Sequence, residues 1–302
     1  MNAQLAGVVI AAGGLGTRVG GWSAVLPKEF RPVQGRPGLV HVLEEAAALG
    51  AERAVVVHHP YYTPLIDWTR QVFAPGALAR YQELARQPLS PRPPSEALQV
   101  DFIAQRGRYA DVTSALNGAE HLGSGDVCLA FADNVDPSHT ALSELITATA
   151  PGIPAILASP FDIQAASSHG VIVCPGAGPV RTMAGLVEKP DPVHAAQLAA
   201  DHGPDNLRLL QGRVRLTPEL LNYLAAAMRR TATEPKLSLA LAAYARHNRV
   251  DIVTNRRPVI DLGAPDHAEA AHPALQPAHA TGCHEPRRAH PAAHRRDVTE
   301  LR

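Results

Sequence analysis

A glycine-rich segment, Gly13, Gly14, Leu15, Gly16, Thr17 and Arg18, stands directly behind a short apolar run, and Lys28 follows Arg18 by ten residues. Glycines in that place let the backbone approach an anion and present N–H groups to it. Arg18 and Lys28 put two cations beside that cradle. Phosphate groups need such compensation to meet, because unit charges 4 Å apart interact by about 4 kcal/mol even at an effective dielectric of 20. The lysine itself is informative. Of 28 basic residues only Lys28, Lys189 and Lys236 are lysines. Where arginine serves as the general cation, a retained lysine points to a site that wants a compact ammonium and not a planar fork.

Two common phosphate loops do not fit. The pattern G-x-x-x-x-G-K-[ST] needs a glycine-lysine pair, which the chain lacks. The dinucleotide pattern G-x-G-x-x-G needs a third glycine where Val19 stands, and the second apolar run, AVVVHH, ends in histidines and not in an acid.

The elements around the loop read as an alternation. Ala6–Ala12 is nearly continuous in apolar residues, as in a strand buried on both faces. Gly13–Gly21 reads as a loop. Helical periodicity follows over Gly38–Leu49, then a strand over AERAVVVHH, then helix from about 62 to 87 with a break at Pro75 and Gly76. Pro88–Ser95 is a proline-rich connector. Leu98–Gln105 alternates like a strand, Asp111–Leu122 reads as a helix, and Asp126–Asp133 reads as a buried strand ending in an acid. A helix near 138–149 and a strand over PAILAS complete the first part. This order predicts an open, mostly parallel sheet with helices on both faces. Beyond residue 160 the spacing predicts strands near 170–174 and 180–188, a helix near 192–202 and a strand near 207–215. Helices near 217–230 and 236–247 and strands near 250–254 and 258–262 end the pattern.

From about Pro265 onward alanine, proline, histidine and arginine dominate, with almost no large apolar residue. Such a composition cannot bury enough surface to order itself. The expected organisation is a single domain over 1–265 and a disordered tail over 266–302. The tail histidines (His267, His272, His279, His284, His290 and His294) are irregularly spaced and interrupted by prolines, which suits adventitious metal affinity better than a designed site.

The chain has 302 residues, 28 basic and 28 acidic, and no net formal charge. That balance argues against broad electrostatic binding to nucleic acid or an acidic membrane surface. Cys128, Cys174 and Cys283 are too few and too scattered for a disulfide framework, and free thiols suit a reducing cytoplasm. The opening residues have no basic start before a short apolar run. They read as a first strand, not as a signal peptide or membrane span.

Taken together, AAGGLGTR and LPKEFRPV resemble the sugar-1-phosphate nucleotidyltransferase family, most of all its UTP–glucose-1-phosphate uridylyltransferase branch. Further matches follow in the family's order: FADN with Asp133, SSHGVIV over Ser168–Val173, GLVEKP over Gly185–Pro190, NLRLLQGRVRLTPELL, and VIDLG over Val259–Gly263. The resemblance covers about residues 6–265. It implies a Rossmann-like sheet of the nucleotide-diphospho-sugar transferase type, and attack of a sugar 1-phosphate on the α-phosphorus of UTP with loss of pyrophosphate. By position, Gly13, Gly14, Gly16 and Thr17 would hold the nucleotide phosphates. Arg18 would neutralise the departing pyrophosphate, and Lys28 would reach the phosphates at the reacting centre. Gln105 would read the pyrimidine, Gly170 and Glu188 would contact the sugar, and Lys189 would bind its phosphate. Asp133 and Asp261 would hold Mg2+. A homo-oligomer is expected.

Bland alternatives stand beside these assignments. Asp133 can cap the following helix, Asp261 can cap a turn, and Glu188 with Lys189 can be a solvated pair. The family's P-x-T-K segment is GGWSAV here, and its G-L-G-H-A loop is replaced by ADVTSA over Ala110–Ala115. There Asp111 and Thr113 serve either as polar contacts to the nucleotide or as the start of a helix. Two alternatives to a uridylyltransferase remain: a dTTP-using thymidylyltransferase, and a sugar-nucleotide-binding protein of the same fold without turnover.

Overall fold

The first strand, β1 (Leu5–Ala12), is apolar along its length because both its faces are covered. Val8 and Ile10 enter one layer of side chains, with Leu39, Val42 and Leu43, whereas Val9 enters the opposite layer, with Val112, Ala115 and Leu129. The computed structural model describes residues 5–72, 76–85, 98–230 and 236–264. The Pro88–Ser95 connector, Cys283 and the sequence from Pro265 lie outside them.

After β1 come α1 (Gly21–Val25), a small hairpin of β2 (Pro32–Val33) and β3 (Arg36–Pro37), α2 (Gly38–Ala48) and β4 (Arg53–His58). Then follow α3 (Thr63–Val72), α4 (Ala77–Ala85), β5 (Gln99–Ala104), α5 (Asp111–Leu122), β6 (Asp126–Phe131), β7 (Asn134–Val135) and α6 (Ala141–Ala148). The second part contains β8 (Ala155–Pro160), β9 (Gly170–Val173), β10 (Val180–Thr182), β11 (Gly185–Glu188), α7 (Pro192–His202) and β12 (Leu207–Leu216). It ends with α8 (Pro218–Arg230), α9 (Leu237–Ala245), β13 (Asp251–Thr254) and β14 (Ile260–Asp261).

The main sheet runs β10-β13-β8-β12-β6-β1-β4-β5, and β9 and β11 form a hairpin attached to β12. β5, β4, β1 and β6 are parallel neighbours, as expected of the first part. β12 enters antiparallel between β6 and β8. The side chains of α5, α8 and α9 cover one face and those of α2, α3 and α6 the other. The expected α/β fold, an open and mostly parallel sheet with helices on both faces, is thus observed.

The arrangement dictates where a ligand can bind. β1 connects outward to β4 on one side and meets β6 on the other, so the strand order reverses between β1 and β6. Open α/β sheets bind ligands outside the carboxyl ends of their strands at such a point. The glycine loop after β1, Gln105 after β5 and Asp133 after β6 all leave the sheet at that edge.

Two local expectations need correction. The segment read as a loop, Gly13–Gly21, contains a single 3-10 turn at Thr17–Val19, and α1 begins at its last residue. The strand expected over 180–188 is two strands. Val180–Thr182 pairs with β13, Gly185–Glu188 pairs with β9, and the chain crosses between them at Met183 and Ala184. There the Met183 N–H donates to Val250 and the Ala184 N–H to Val173.

Candidate functional site

The glycine loop is held by contacts that need glycine. Gly16 adopts φ 63°, and a Cβ there would stand 2.5 Å from Ser23 Oγ. A Cβ on Gly13 would lie 2.2 Å from Gln105 Oε1, so the Gly13 backbone packs directly on that amide. The Tyr62 hydroxyl donates to the Ser23 carbonyl at 2.5 Å and anchors the far side of the loop. The backbone therefore faces an open cavity lined by Gly13, Gly14, Lys28, Tyr109, Ser114 and Asp133.

Lys28 opens a 3-10 turn, Lys28–Phe30, and is only 8% exposed. Its Nζ donates to Glu29 Oε1 at 2.5 Å and lies 3.2 Å from Asp133 Oδ2. Burial by itself lowers the affinity of this ammonium for its proton. The carboxylates of Asp133 and Glu29 more than offset that and hold its pKa above the ordinary lysine value. Glu29 is 1% exposed, and burial raises its carboxyl against the opposing pull of Lys28. Its Oε2 has no hydrogen-bond partner.

A second cavity adjoins the first and shares Asp111, Phe131 and Asp133 with it. It is lined further by Arg18, Gly170, Glu188, Lys189 and Asp261. The β9–β11 hairpin places Glu188 directly opposite Gly170. A Cβ on Gly170 would lie 3.3 Å from Glu188 Oε2, which explains a glycine facing this carboxylate. Lys189 has φ 45°, a left-handed conformation that a lysine rarely adopts, and its N–H donates to the His169 carbonyl. It is exposed at the cavity rim, while Glu188 is half-buried.

Arg18, Asp133 and Asp261 converge. The point where Gly263 would carry a Cβ lies 3.0 Å from Asp261 Oδ1, 3.1 Å from Arg18 Nη2 and 3.3 Å from Asp133 Oδ2. β14 pairs with β7 and so sets Asp261 opposite Asn134, one residue after Asp133. The capping alternative for Asp133 is filled by another acid. Asp136 accepts N–H bonds from Ser138, Thr140 and Ala141 at the start of α6. Asp261 does take a turn role, accepting the Gly263 N–H at 2.8 Å with Oδ1, while facing the cavity.

Not every expected residue faces these cavities. Gly16 shapes the loop and Thr17 is exposed, and neither lines either cavity. Gln105 is 7% exposed and also lines neither. Its Oε1 accepts from Ser114 Oγ at 2.7 Å and its Nε2 reaches the Arg108 carbonyl at 3.4 Å, so its amide is engaged within the protein. Thr113 is a structural residue, buried and donating to the Arg108 carbonyl. Asp111 lines both cavities and also accepts the N–H of Val112 and of Leu237, thereby tying α5 to α9.

Sequence reasoning gave no role to Glu29, Tyr109 or Arg213. The first was visible as the acid of P-K-E; the second follows an arginine-rich loop and had no signal. Arg213, 2% exposed, forms a bidentate pair with Glu45 and donates to the carbonyls of Phe131 and Asn134, which flank Asp133. It buttresses the acid from below.

Known proteins resemble the chain in both sequence and fold. No family model matches the chain. Over 248 residues the chain is 27% identical to a UTP–glucose-1-phosphate uridylyltransferase of Komagataeibacter xylinus, covering 79% of this chain and 82% of that protein. It is 26% identical to uridylyltransferase 2 of Staphylococcus saprophyticus, covering 81% and 82%. A local match, 45% identical over 70 residues, links it to the bifunctional protein GlmU of Parvibaculum lavamentivorans, but spans only 15% of that protein. Among solved structures, a UTP-bound UGPase from Acinetobacter baumannii shares the fold with TM-score 0.70 and 20% identity, over 91% of this chain and 95% of that one. A UDP-glucose pyrophosphorylase complexed with UDP-glucose gives 0.67 at 20% identity, over 90% and 98%. The chain is most like the UTP–glucose-1-phosphate uridylyltransferases in sequence, and it has their fold.

Proposed function

We propose that this chain joins UTP and a sugar 1-phosphate, glucose 1-phosphate first among them, to give a UDP-sugar and pyrophosphate. A phosphate oxygen of the sugar 1-phosphate attacks the α-phosphorus of UTP in line, and the bond to the bridging oxygen breaks as pyrophosphate leaves. No covalent enzyme intermediate is needed, so the protein contributes position and charge.

One observation carries the reading. Asp133 stands where the two cavities meet, with Lys28 on one side and Arg18 and Asp261 on the other. A phosphate cradle and a polar pocket suited to a sugar thus share one charged boundary. In this reading the backbone of Gly13 and Gly14 faces the nucleotide phosphates, in a loop that Gly16 and Thr17 shape. Lys28 is the ammonium at the α-phosphate and Arg18 receives the charge of the leaving pyrophosphate. Glu188, across from Gly170, accepts sugar hydroxyls, and Lys189 binds the sugar phosphate. Gln105 reads the pyrimidine by exchanging one of its internal partners for the base.

The carboxylates of Asp133, in the turn between β6 and β7, and of Asp261, on β14, approach one point, and with phosphate oxygens they make the all-oxygen donor set that suits Mg2+. When bound there, magnesium would offset phosphate charge and polarise the α-phosphorus. We place the chain in the cytoplasm, where the buried free thiols of Cys128 and Cys174 are at home. Among the described residues no helix is long and apolar enough to cross a membrane. A homo-oligomer is proposed, to be checked by light scattering.

The test is to incubate the chain with magnesium, each nucleoside triphosphate and a panel of sugar 1-phosphates, and to measure pyrophosphate. UTP should rank first and dTTP second, with CTP and purine nucleotides far behind. A preference for dTTP would move the chain to the thymidylyltransferases. Binding without turnover of any pair would leave only the non-catalytic reading.

A further inference from the structure

Outside both cavities, three potential ligand atoms meet on α2 and the turn before α6. His41 and Glu44 are three residues apart on one face of α2, and His139 comes from the segment between β7 and α6. One ligand atom from each lies within 4.8 Å of the others. We propose that His41 Nδ1, Glu44 Oε2 and His139 Nε2 form a binding site for a divalent transition cation of the zinc class.

The protons argue for it. His41 is fully buried, and its Nε2 lies 2.9 Å from the Val33 carbonyl. A carbonyl only accepts, so Nε2 carries the proton and Nδ1 presents a lone pair. His139 Nε2 lies 3.1 Å from that lone pair and 3.4 Å from Glu44 Oε2. It holds one proton at most and faces two acceptors. Glu44 Oε2 is buried with no hydrogen-bond partner. A cation satisfies all three atoms at once. With metal–nitrogen bonds of about 2.0–2.1 Å, the edge of a tetrahedral ligand set is roughly 3.3 Å, close to both separations.

The surroundings fix the ligands. A histidine that binds metal commonly donates its other N–H to a carbonyl, as His41 does to Val33. Arg36 Nη1 pairs with Glu44 Oε1 and leaves Oε2 for the cation. Asp136 accepts the N–H groups of Ser138 and Thr140, on either side of His139, and so pins the turn. His139 itself has φ 56°, a left-handed conformation of the kind that collects at functional sites. Its side chain is 24% exposed and that of Glu44 13%, which gives the cation a way in and a fourth position for water.

Zinc and cobalt(II) should be titrated separately into the full chain after chelator treatment and dialysis. His139→Asn and Glu44→Gln serve as variants, because asparagine tolerates the left-handed conformation and glutamine keeps the shape of Glu44. Both should keep the native melting behaviour within a few degrees. Each variant should bind one equivalent fewer than the parent, or bind it at least tenfold more weakly, and lose the visible absorption of tetrahedral cobalt. The variant Asp133→Asn should keep both, which separates this site from the proposed magnesium carboxylates. The same stoichiometry and cobalt spectrum in both variants would assign the metal to the histidines beyond Pro265 and overturn the proposal, as would no zinc bound to the parent.

Discussion

Replacing Lys28 by methionine separates what the ammonium does for folding from the catalytic role proposed for it. In the native chain its Nζ touches Glu29 Oε1 and lies 3.2 Å from Asp133 Oδ2. Methionine leaves Glu29, 1% exposed, as a buried charge without its partner. Breaking a buried pair in this way costs about 3–5 kcal/mol, a large share of a usual total of about 5–15 kcal/mol. The chain's escape is to protonate Glu29. Burial already raises that carboxyl above its ordinary value of 4.5, and losing Lys28 removes the main opposing force. A raised folded pKa stabilises fully below the unfolded value and is lost as pH rises through the folded value. The Lys28→Met loss should therefore be large at neutral pH and shrink as pH falls toward 4.5. Adding Glu29→Met removes the stranded charge, and the double variant should return to near parental stability, since apolar replacements of buried pairs are often neutral. Turnover should stay low in both variants, by roughly 10²–10³, the usual loss for one preorganised electrostatic donor. Urea unfolding across pH, with initial rates of pyrophosphate release, reads both quantities. Restored turnover in the double variant would mean that Lys28 merely neutralises Glu29. A Lys28→Met chain as stable as the parent would mean that Glu29 carries no buried charge.

Three further outcomes follow from the same geometry. Asp133→Asn and Asp261→Asn should each weaken magnesium dependence and activity with little change in melting temperature. A loss of stability with an unaltered magnesium titration would reassign the residue to its turn. Arg213→Met should cost about 3–5 kcal/mol by stranding Glu45, and should lower kcat as well, because the carbonyls beside Asp133 lose their donor; adding Glu45→Met should restore part of the stability, measured by urea, because the buried Leu142 N–H then loses its Glu45 acceptor, and should not restore kcat. A chain ending at Asp266 should fold and keep activity, and insolubility or lost assembly by light scattering would show that the remainder docks on the body.

Much of the fold was legible because it rests on local signals. Asp111–Leu122 and Pro192–His202 form helices where periodicity placed them, the second opened by Asp191, which accepts the His194 N–H, and by Pro192. The apolar runs that became β1, β4 and β6 needed only the rule that strands covered on both faces lack alternation. The crossing at Met183 was not legible. A continuous strand-like stretch from 180 to 188 carries no mark that one half pairs with β13 and the other with β9, because that choice is made by neighbours far away in sequence.

The site shows the same divide between type and placement. The glycines, Lys28 and Lys189 could be singled out because their residue types are unusual where they stand. The acids could not be sorted that way. Asp133 and Asp136 are three residues apart before the same helix, and either suits a cap by type. The structure gives the cap to Asp136, whose carboxyl accepts three backbone N–H groups and the hydroxyls of Ser138 and Thr140, and its bonds from Ser138, Thr140 and Ala141 hold its pKa below the ordinary range although burial opposes them. Asp133 is thereby left to Lys28 and to the cavities. Gln105 is the opposite case. Its position after β5 suggested an amide free to read a base, yet Ser114 and the Arg108 carbonyl take both ends of it. Both partners lie in or beside the loop at Ala110–Ala115, so that loop decides what the glutamine touches. In the proposed reading, base choice is therefore a competition between uracil and Ser114 for one oxygen. Ser114→Ala should free that oxygen and raise affinity for UTP relative to CTP, as measured by competition in the pyrophosphate assay, and an unchanged ratio would remove Gln105 from base recognition.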